Sequence, residues 1–357
     1  MSRIFVSGVG AVSPAGWGIE PMLQALRSGV ALPSQPLARH LWGRPILCRP
    51  IPAPPSRPPF MTNPRLRRVS PITHYATAAA LEAMALFQQN ERASRVGLVV
   101  CLDAGCVQYS CRFFDEVLKD PGTASPLLFP ETVFSALASN MAVLLAETPI
   151  AYTLLGDAAC FMQGMAVAAD WLTDERVDAC LVIGAEEVNW LLADALLHLD
   201  RGAVLAAGAG AVALVRDPAL SCGIQLEAIT DAHIYGRDNN KSSCAASMRQ
   251  QFPSGVDNEL LCDSVGDGLR THRPEREAWA DWPGARISPK AVLGEGLVAA
   301  TAWQCAAAVS MLKQGGFEAA NVSAVGPNQQ AIGARFSLGD HGERLTPSHL
   351  NILERTA

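Results

Sequence analysis

Strand-like apolar runs alternate with alanine-rich helical runs along almost the whole chain, and this alternation constrains the fold more than any single motif. "RIFVSGVGAV" near the start, "RVGLVVCLD", "IAYTLL" and "DACLVIGAEEVN" read as strands with almost no polar positions. Between them, "PITHYATAAALEAMALF", "SALASNMAVLLAE" and "CFMQGMAVAADWLTD" have helical spacing; Ala76, Ala79, Ala80, Ala83 and Leu86 fall roughly on one face. "GAGAVALVRD" and "GIQLEAITDAHIYG" look like paired strands, and the long apolar helix "LVAATAWQCAAAVSMLKQGG" precedes "NVSAVGPNQQAIGARFSL". Strands without an alternating polar face need cover on both sides, so the pattern predicts an α/β architecture with sheets buried between helices. The 357 residues, 49% apolar and 17% charged, suffice for two core-forming units or one duplicated fold.

Two stretches break the rhythm. Residues 32–60, rich in proline and arginine, cannot form a core helix and read as an extended excursion over the surface. Residues 236–255 read as a second irregular stretch. The net charge of −6 excludes a nucleic-acid binder's basic footprint. The one short basic cluster is Arg65, Arg67 and Arg68, open to two readings: a solvated surface or a contact for an acidic partner. The opening "MSRIFVSGVGAVSP" has no signal-peptide pattern, and no run of about 18 apolar residues suggests a membrane span. The ten cysteines lack paired CxxC spacing, so we expect reduced thiols and a cytoplasmic protein.

One cysteine stands out by its setting. In "GDAACFMQGM", Cys160 follows a predicted strand and opens a predicted helix. A nucleophile is presented on such a strand–turn–helix corner, where the helix N-terminus favours a thiolate. Taken alone, this signal is weak, and Cys160 reads first as a small hydrophobe of an alanine-rich core. Asp157, three residues earlier, reads as a helix N-terminal charge or as a partner for a backbone donor.

Several stretches in order resemble the β-ketoacyl synthase (condensing-enzyme) family. "RIFVSGVGAVSPAGWG" is similar to its opening strand and turn; "FPETVFSALASNMAVLLAETPIAYTLLGDAACFMQGMAVAADWL" resembles its dimer helix and nucleophile segment, with Ala159–Cys160 in place. "DACLVIGAEEVN", "GAGAVALV" and "PKAVLGEGLVAATAWQCAAAVSMLKQGG" resemble the segments that follow. The resemblance implies a thiolase-like fold of duplicated βαβαβ halves in a five-layered α-β-α-β-α arrangement, with halves at 1–215 and 216–357. It implies no cofactor, the substrate being an acyl-phosphopantetheine of an acyl carrier protein, for which the Arg65 cluster would be the acidic partner's contact. It also implies dimerisation, with itself or with a ketosynthase paralogue, through the nearly uncharged stretch 135–155.

The family's chemistry needs Cys to take the acyl group and two histidines to assist decarboxylation of a malonyl unit, where charge develops on a carbonyl oxygen. Here the resemblance finds neither histidine. If Glu277 is the acid eleven residues after the first, that position holds Gly266, with His272 six residues on, expected in a surface loop. "KAVLGEG" keeps Lys290 and Gly294, but Glu295 stands at the second histidine position. A buried Glu295 paired with Lys290, a recruited catalytic Glu295 and a solvated loop carboxylate all stand open; His233 and His272 are the available substitutes. In the C-terminal loop "AVGPNQQA", Gly326 survives and Asn328 follows, but the phenylalanine and glycine pair do not. Phe161 and Met162, bulkier than the family's serines, would narrow a pocket beside the thiol.

These features lead to the expectation of a non-condensing subunit resembling the chain-length factors of fatty-acid- or polyketide-type systems, aryl polyene systems included. The alternative is a Cys160-dependent acyltransferase that forms a thioester without malonyl decarboxylation. A condensing enzyme with a shifted histidine and an inert paralogue complete the set.

Overall fold

The computed structural model describes residues 3–38, 45–86, 95–143, 145, 150–253, 255, 257–266 and 271–339. In chain order the first part comprises β1 (Ile4–Ser13), β2 (Gly16–Trp17), α1 (Ile19–Ser28), β3 (Gln35–Leu37), β4 (Ile46–Arg49), α2 (Pro71–Ala83), β5 (Val96–Leu102), α3 (Val107–Lys119), α4 (Ala136–Ala142), β6 (Ala151–Leu155), α5 (Cys160–Thr173), β7 (Ala179–Glu186), α6 (Trp190–Leu199), β8 (Leu205–Ala206) and β9 (Gly208–Val215). The second comprises β10 (Ile224–Ile229), β11 (His233–Ile234), α7 (Lys241–Gln250), β12 (Glu259–Cys262), α8 (Arg273–Ala278), β13 (Ala285–Ile287), α9 (Pro289–Leu293), α10 (Val298–Gln314), β14 (Ala319–Val325) and β15 (Gln330–Leu338).

The sheet order is β13-β12-β14-β15-β10-β1-β9-β7-β5-β6. Its two halves repeat one pattern. In the first, β5 is parallel to β6 and β7, β7 is antiparallel to β9, and β9 to β1. In the second, β12 is parallel to β13 and β14, β14 is antiparallel to β15, and β15 to β10. The duplicated halves meet where β1 pairs with β10. β9 and β10, read from sequence as a pair, both pair with β1 instead and lie on either side of it.

α5 and α10 fill the space between the halves, in one apolar cluster that joins Val99 and Val182 of one half to Leu260, Val322 and Phe336 of the other. α2 and α4 cover the outer face of the first half, α7 and α8 that of the second. The result is the five-layered α-β-α-β-α arrangement. β5, β7, β9 and β14 are buried at every position, as their unbroken apolar runs require. α10 presses directly on β9: a Cβ at Gly210 would lie 2.8 Å from the backbone of Ala302, so only glycine permits this approach.

The 32–60 excursion is extended, but it is not merely draped on the surface. β3 and β4 form a three-stranded sheet with β8, and Ile46, Cys48 and Arg49 are buried; residues 39–44 lie outside the described set. The stretch read as irregular at 236–255 contains α7, capped by Asn240, whose side chain accepts from the Ser243 N–H at 2.9 Å. In the predicted dimer helix, α4 ends at Ala142, and residues 144 and 146–149 lie outside the described residues. No described helix is long and apolar enough to cross a membrane.

Candidate functional site

Cys160 is the first residue of α5. After β6 the chain turns at Gly156, whose N–H binds the Leu102 carbonyl at the end of β5, and the Cys160 N–H closes the turn onto the Asp157 carbonyl at 2.8 Å. The thiol therefore stands at a helix N-terminus, as expected, but it is only 1% exposed. Its amide, which could otherwise point at an oxyanion, is committed to that turn.

The neighbouring donors are committed too. Asp157 is buried and accepts from the N–H groups of Ala159 (3.2 Å), Gln329 (2.9 Å) and Asn328 (3.4 Å). The Gln329 Oε1 accepts in turn from the Asp157 N–H at 3.0 Å. Gly326 lies directly beneath: a Cβ there would sit 1.9 Å from Asp157 Oδ2. Its N–H bonds to the Gln330 carbonyl, and its own carbonyl accepts from the Tyr235 hydroxyl at 3.0 Å. Asp157 is thus a partner for backbone donors, and the 326–330 loop is tied over the nucleophile turn. Asn328 itself is exposed. Burial raises the Asp157 carboxyl, against the lowering effect of these donors and of Lys290.

Lys290 and Glu295 form a buried ion pair: Nζ to Oε2 is 2.9 Å, with side chains 3% and 12% exposed. Oε1 accepts from the Leu297 N–H at 2.9 Å. The backbone of Glu295 is clamped by Val204 and Ala206, through its N–H and carbonyl, each at 2.9 Å. Leu297 takes a left-handed φ of 49° at the start of α10, a strained backbone for a γ-branched residue held in place by this clamp. Glu295 is the buried partner of Lys290, and both of its oxygens are engaged.

His272, expected in a surface loop, is buried. Its ring lies against Gly266, whose Cβ would be 3.2 Å from Nε2, and Nε2 is 3.7 Å from Asp200 Oδ2. Burial, reinforced by Lys290, drives its pKa down to about 3, so the ring is neutral. His272 immediately precedes α8, which buries one of its own acids. That buried acid is Glu275. Glu275 accepts from the Ser264 N–H at 3.0 Å and from the hydroxyls of Ser264 and Ser323. Glu277 is an exposed partner of Arg273 at 2.6 Å. Gly266 is the floor beneath His272. His233 lies elsewhere, its Nε2 3.1 Å from Gln251 Nε2 on β11.

Phe161 and Met162 are fully buried core residues. Phe161 lies against Gly184, and Met162 Sδ is 3.9 Å from Cys305 Sγ. They contact the central helix layer and line neither of two cavities beside the site. One, about 10 Å³, lies among Arg49, Gly266, His272, Lys290 and Glu295 and holds at most about one water. The other, about 270 Å³, lies under the 32–60 excursion against Tyr75 and Gln108.

The structure also brings in residues that the sequence reading passed over. Asp103, just past β5, has its pKa raised to about 6 by burial and by Asp157 and Glu295; Glu186 accepts its N–H. Lys241, at the start of α7, is lowered by burial and by Lys290. Asp103 and Glu186 follow the C-terminal ends of parallel strands, where α/β sheets place their sites, so their position was a usable signal.

No family model matches the chain, and no curated protein matches it in sequence. Solved structures match its fold. A β-ketoacyl synthase from Burkholderia phymatum STM815 is 15% identical with a TM-score of 0.78, covering 95% of this chain and 100% of that one. A type II polyketide acyl-carrier protein in complex with its ketosynthase bound to the hexaketide gives 17% identity and a TM-score of 0.76, over 94% and 99%. A ketosynthase in complex with its chain length factor from Xenorhabdus doucetiae gives 12% and 0.74, over 95% and 98%. The chain has the thiolase-like ketosynthase fold.

Proposed function

We propose that this chain is a non-condensing, chain-length-factor-like partner of an active β-ketoacyl-carrier-protein synthase, in a fatty-acid- or polyketide-type pathway that includes the aryl polyene class. One observation carries the reading: around Cys160 the groups that condensation would need are already spent. The Cys160 N–H is bonded to Asp157, the loop N–H groups of Asn328 and Gln329 are held by the Asp157 carboxylate, and Glu295 is locked to Lys290. Both Glu295 oxygens already accept, from Lys290 Nζ and from the Leu297 N–H, so the side chain is engaged away from an enolate. The histidine nearest the site, His272, is neutral and packed against Gly266. Losing one donor or general acid of this kind slows a reaction by about 10²–10⁴.

The partner docks, in this reading, on the edge of β6 that no described strand pairs, and on the adjoining surface. Tyr152 and Leu155 are 48% and 51% exposed, and Val133, Phe134 and Val143 are exposed as well. An unpaired apolar strand edge invites strand addition. A ketosynthase paralogue is the assigned occupant; a second copy of this chain is the other outcome of a mass measurement on the complex. The acyl carrier protein, with its acyl-phosphopantetheine, meets the exposed Arg65, Arg67 and Arg68. We place the protein in the cytoplasm, where its ten unpaired cysteines stay reduced.

A second reading, a Cys160-dependent acyltransferase, is favoured by Asp103, a carboxyl with a pKa near 6 beside Asp157, which is suited to general-base work. Intact-mass measurement after incubation with an acyl-carrier thioester separates the two. The partner reading predicts no acyl mass gain. A gain that disappears in Cys160→Ala supports the acyltransferase instead.

A further inference from the structure

We propose that the cavity beneath the 32–60 excursion binds a neutral aryl amide, with Tyr75 and Gln108 recognising the amide and apolar side chains holding the ring. The cavity, about 270 Å³, is lined by Leu37, Ile51, Val188 and Ala207 together with Tyr75 and Gln108. An apolar cavity of about 150 Å³ takes a benzene molecule, so this one has room for a substituted ring or for two fused rings. Its walls are fixed by contacts of their own. Trp17 donates its Nε1–H to the Pro52 carbonyl at 2.8 Å and sets its ring edge-on to Tyr75, with centroids 5.8 Å apart. The Ala207 N–H bonds to the Arg49 carbonyl at 3.2 Å. Gln108 is held twice, by its backbone N–H on Glu187 at 2.6 Å and by its Nε2 on the Val188 carbonyl at 3.1 Å. The space is therefore formed before any ligand arrives.

Two polar groups of the lining are unspent. The Tyr75 hydroxyl makes no hydrogen bond among the described residues. Burial, and then the Glu187 carboxylate, push its pKa up to about 12, so it stays a donor. The Gln108 amide spends Nε2 on Val188, and its Oε1 has no partner among the described residues. One donor and one acceptor are what an amide completes: its carbonyl accepts from Tyr75, and its N–H donates to Gln108 Oε1. The charge around the cavity selects against acids. No described lining residue is cationic. Glu187, fully buried, accepts from the Ser70 hydroxyl at 2.8 Å and from the Gln108 N–H, so its charge lies next to the lining. An aryl carboxylate of the same shape would shed its water with no counter-ion, close to a second carboxylate. None of Cys160, Phe161 and Met162 lines the cavity, so the inference stands under either functional reading.

Fluorine NMR titration of the full chain with 4-fluorobenzamide, and separately with 4-fluorobenzoate, tests it. The buffer is set at about pH 8, above the Glu187 carboxyl, which burial raises to about 7. The amide binds saturably with a Kd of about 1 mM or tighter, and the benzoate binds at least about tenfold more weakly. Tyr75→Phe removes a hydroxyl that no described group uses, so the variant folds, and it weakens the amide about fivefold. Ala207→Leu fills the cavity and abolishes binding; Tyr75→Phe carries the test alone if circular dichroism shows that Ala207→Leu does not fold. Three results overturn the inference: no saturable binding of the amide, a benzoate that binds as tightly as the amide, or an amide affinity unchanged in the folded Tyr75→Phe variant.

Discussion

Removing the ammonium of Lys290 leaves the Glu295 carboxylate stranded inside the protein. At 2.9 Å, two unit charges attract by about 6 kcal/mol at an effective dielectric of 20. The desolvation of both groups offsets most of that, so the pair as a whole contributes little net stability. A one-sided deletion behaves differently. Lys290→Met keeps the length of the stem but orphans a carboxylate that is 12% exposed, at a cost of about 3–5 kcal/mol. Unfolding entropies of about 2.1 cal/mol/K per residue over 357 residues translate this into a fall in Tm of roughly 4–7 °C. The double variant Lys290→Met with Glu295→Gln removes the stranded charge and recovers at least half of the loss. Differential scanning calorimetry and urea melts of the wild type, both single variants and the double variant close the cycle. An unchanged Tm in Lys290→Met, or a double variant less stable than Lys290→Met, refutes the view of Glu295 as a locked structural partner.

Other outcomes follow from the same geometry. Glu275→Ala leaves the hydroxyls and N–H that it satisfies at Ser264 and Ser323 without an acceptor, and lowers stability by about 3 kcal/mol or more, read by urea midpoint; Glu277→Ala, on the surface, changes it by less than about 0.5 kcal/mol. His272 is neutral in the fold down to about pH 3, while the unfolded imidazole protonates near 6.5. Its contribution is therefore full above pH 6.5 and is lost as pH falls toward 3, at up to about 1.4 kcal/mol per pH unit, and His272→Gln flattens the melts in that window. Glu187 has the opposite sign. Burial raises it to about 7, so its contribution is full below pH 4.5 and is lost as pH rises through 7; Glu187→Gln removes that slope. Gly164→Ala brings a methyl to 2.4 Å from Cys101 Sγ, and overpacking of about 1–3 kcal/mol outweighs the roughly 1 kcal/mol gain in helix propensity. Tyr152→Asp with Leu155→Asp abolishes association through β6, seen as monomer mass in light scattering.

The five-layered fold was legible because its inner strands are buried on both faces and so carry unbroken apolar runs; β5 and β7 could be read directly. The corner at Cys160 was legible because a strand, a glycine and an alanine-rich helix follow one another there. What escaped were features set by packing across distant segments. Glu275 and Glu277 lie two residues apart on one short helix, and only the position of β14, through Ser323, decides which turns inward. His272 lies six residues from Gly266, and the direction of its ring depends on Asp200 and Lys290 from other parts of the chain. The mixed polar run around Lys241 hid α7, whose cap by Asn240 is seen only in the folded chain. β9 and β10, neighbours in sequence, are separated by a strand from the far N-terminus, which no local pattern reveals.

A non-condensing subunit, as proposed above, does not decarboxylate a malonyl unit. The most direct test is release of carbon dioxide from a malonyl-carrier thioester by the purified chain alone, with the active ketosynthase partner as positive control. A non-condensing subunit gives a rate equal to the protein-free background, unchanged in Cys160→Ala. Release well above background, lost in Cys160→Ala, contradicts it.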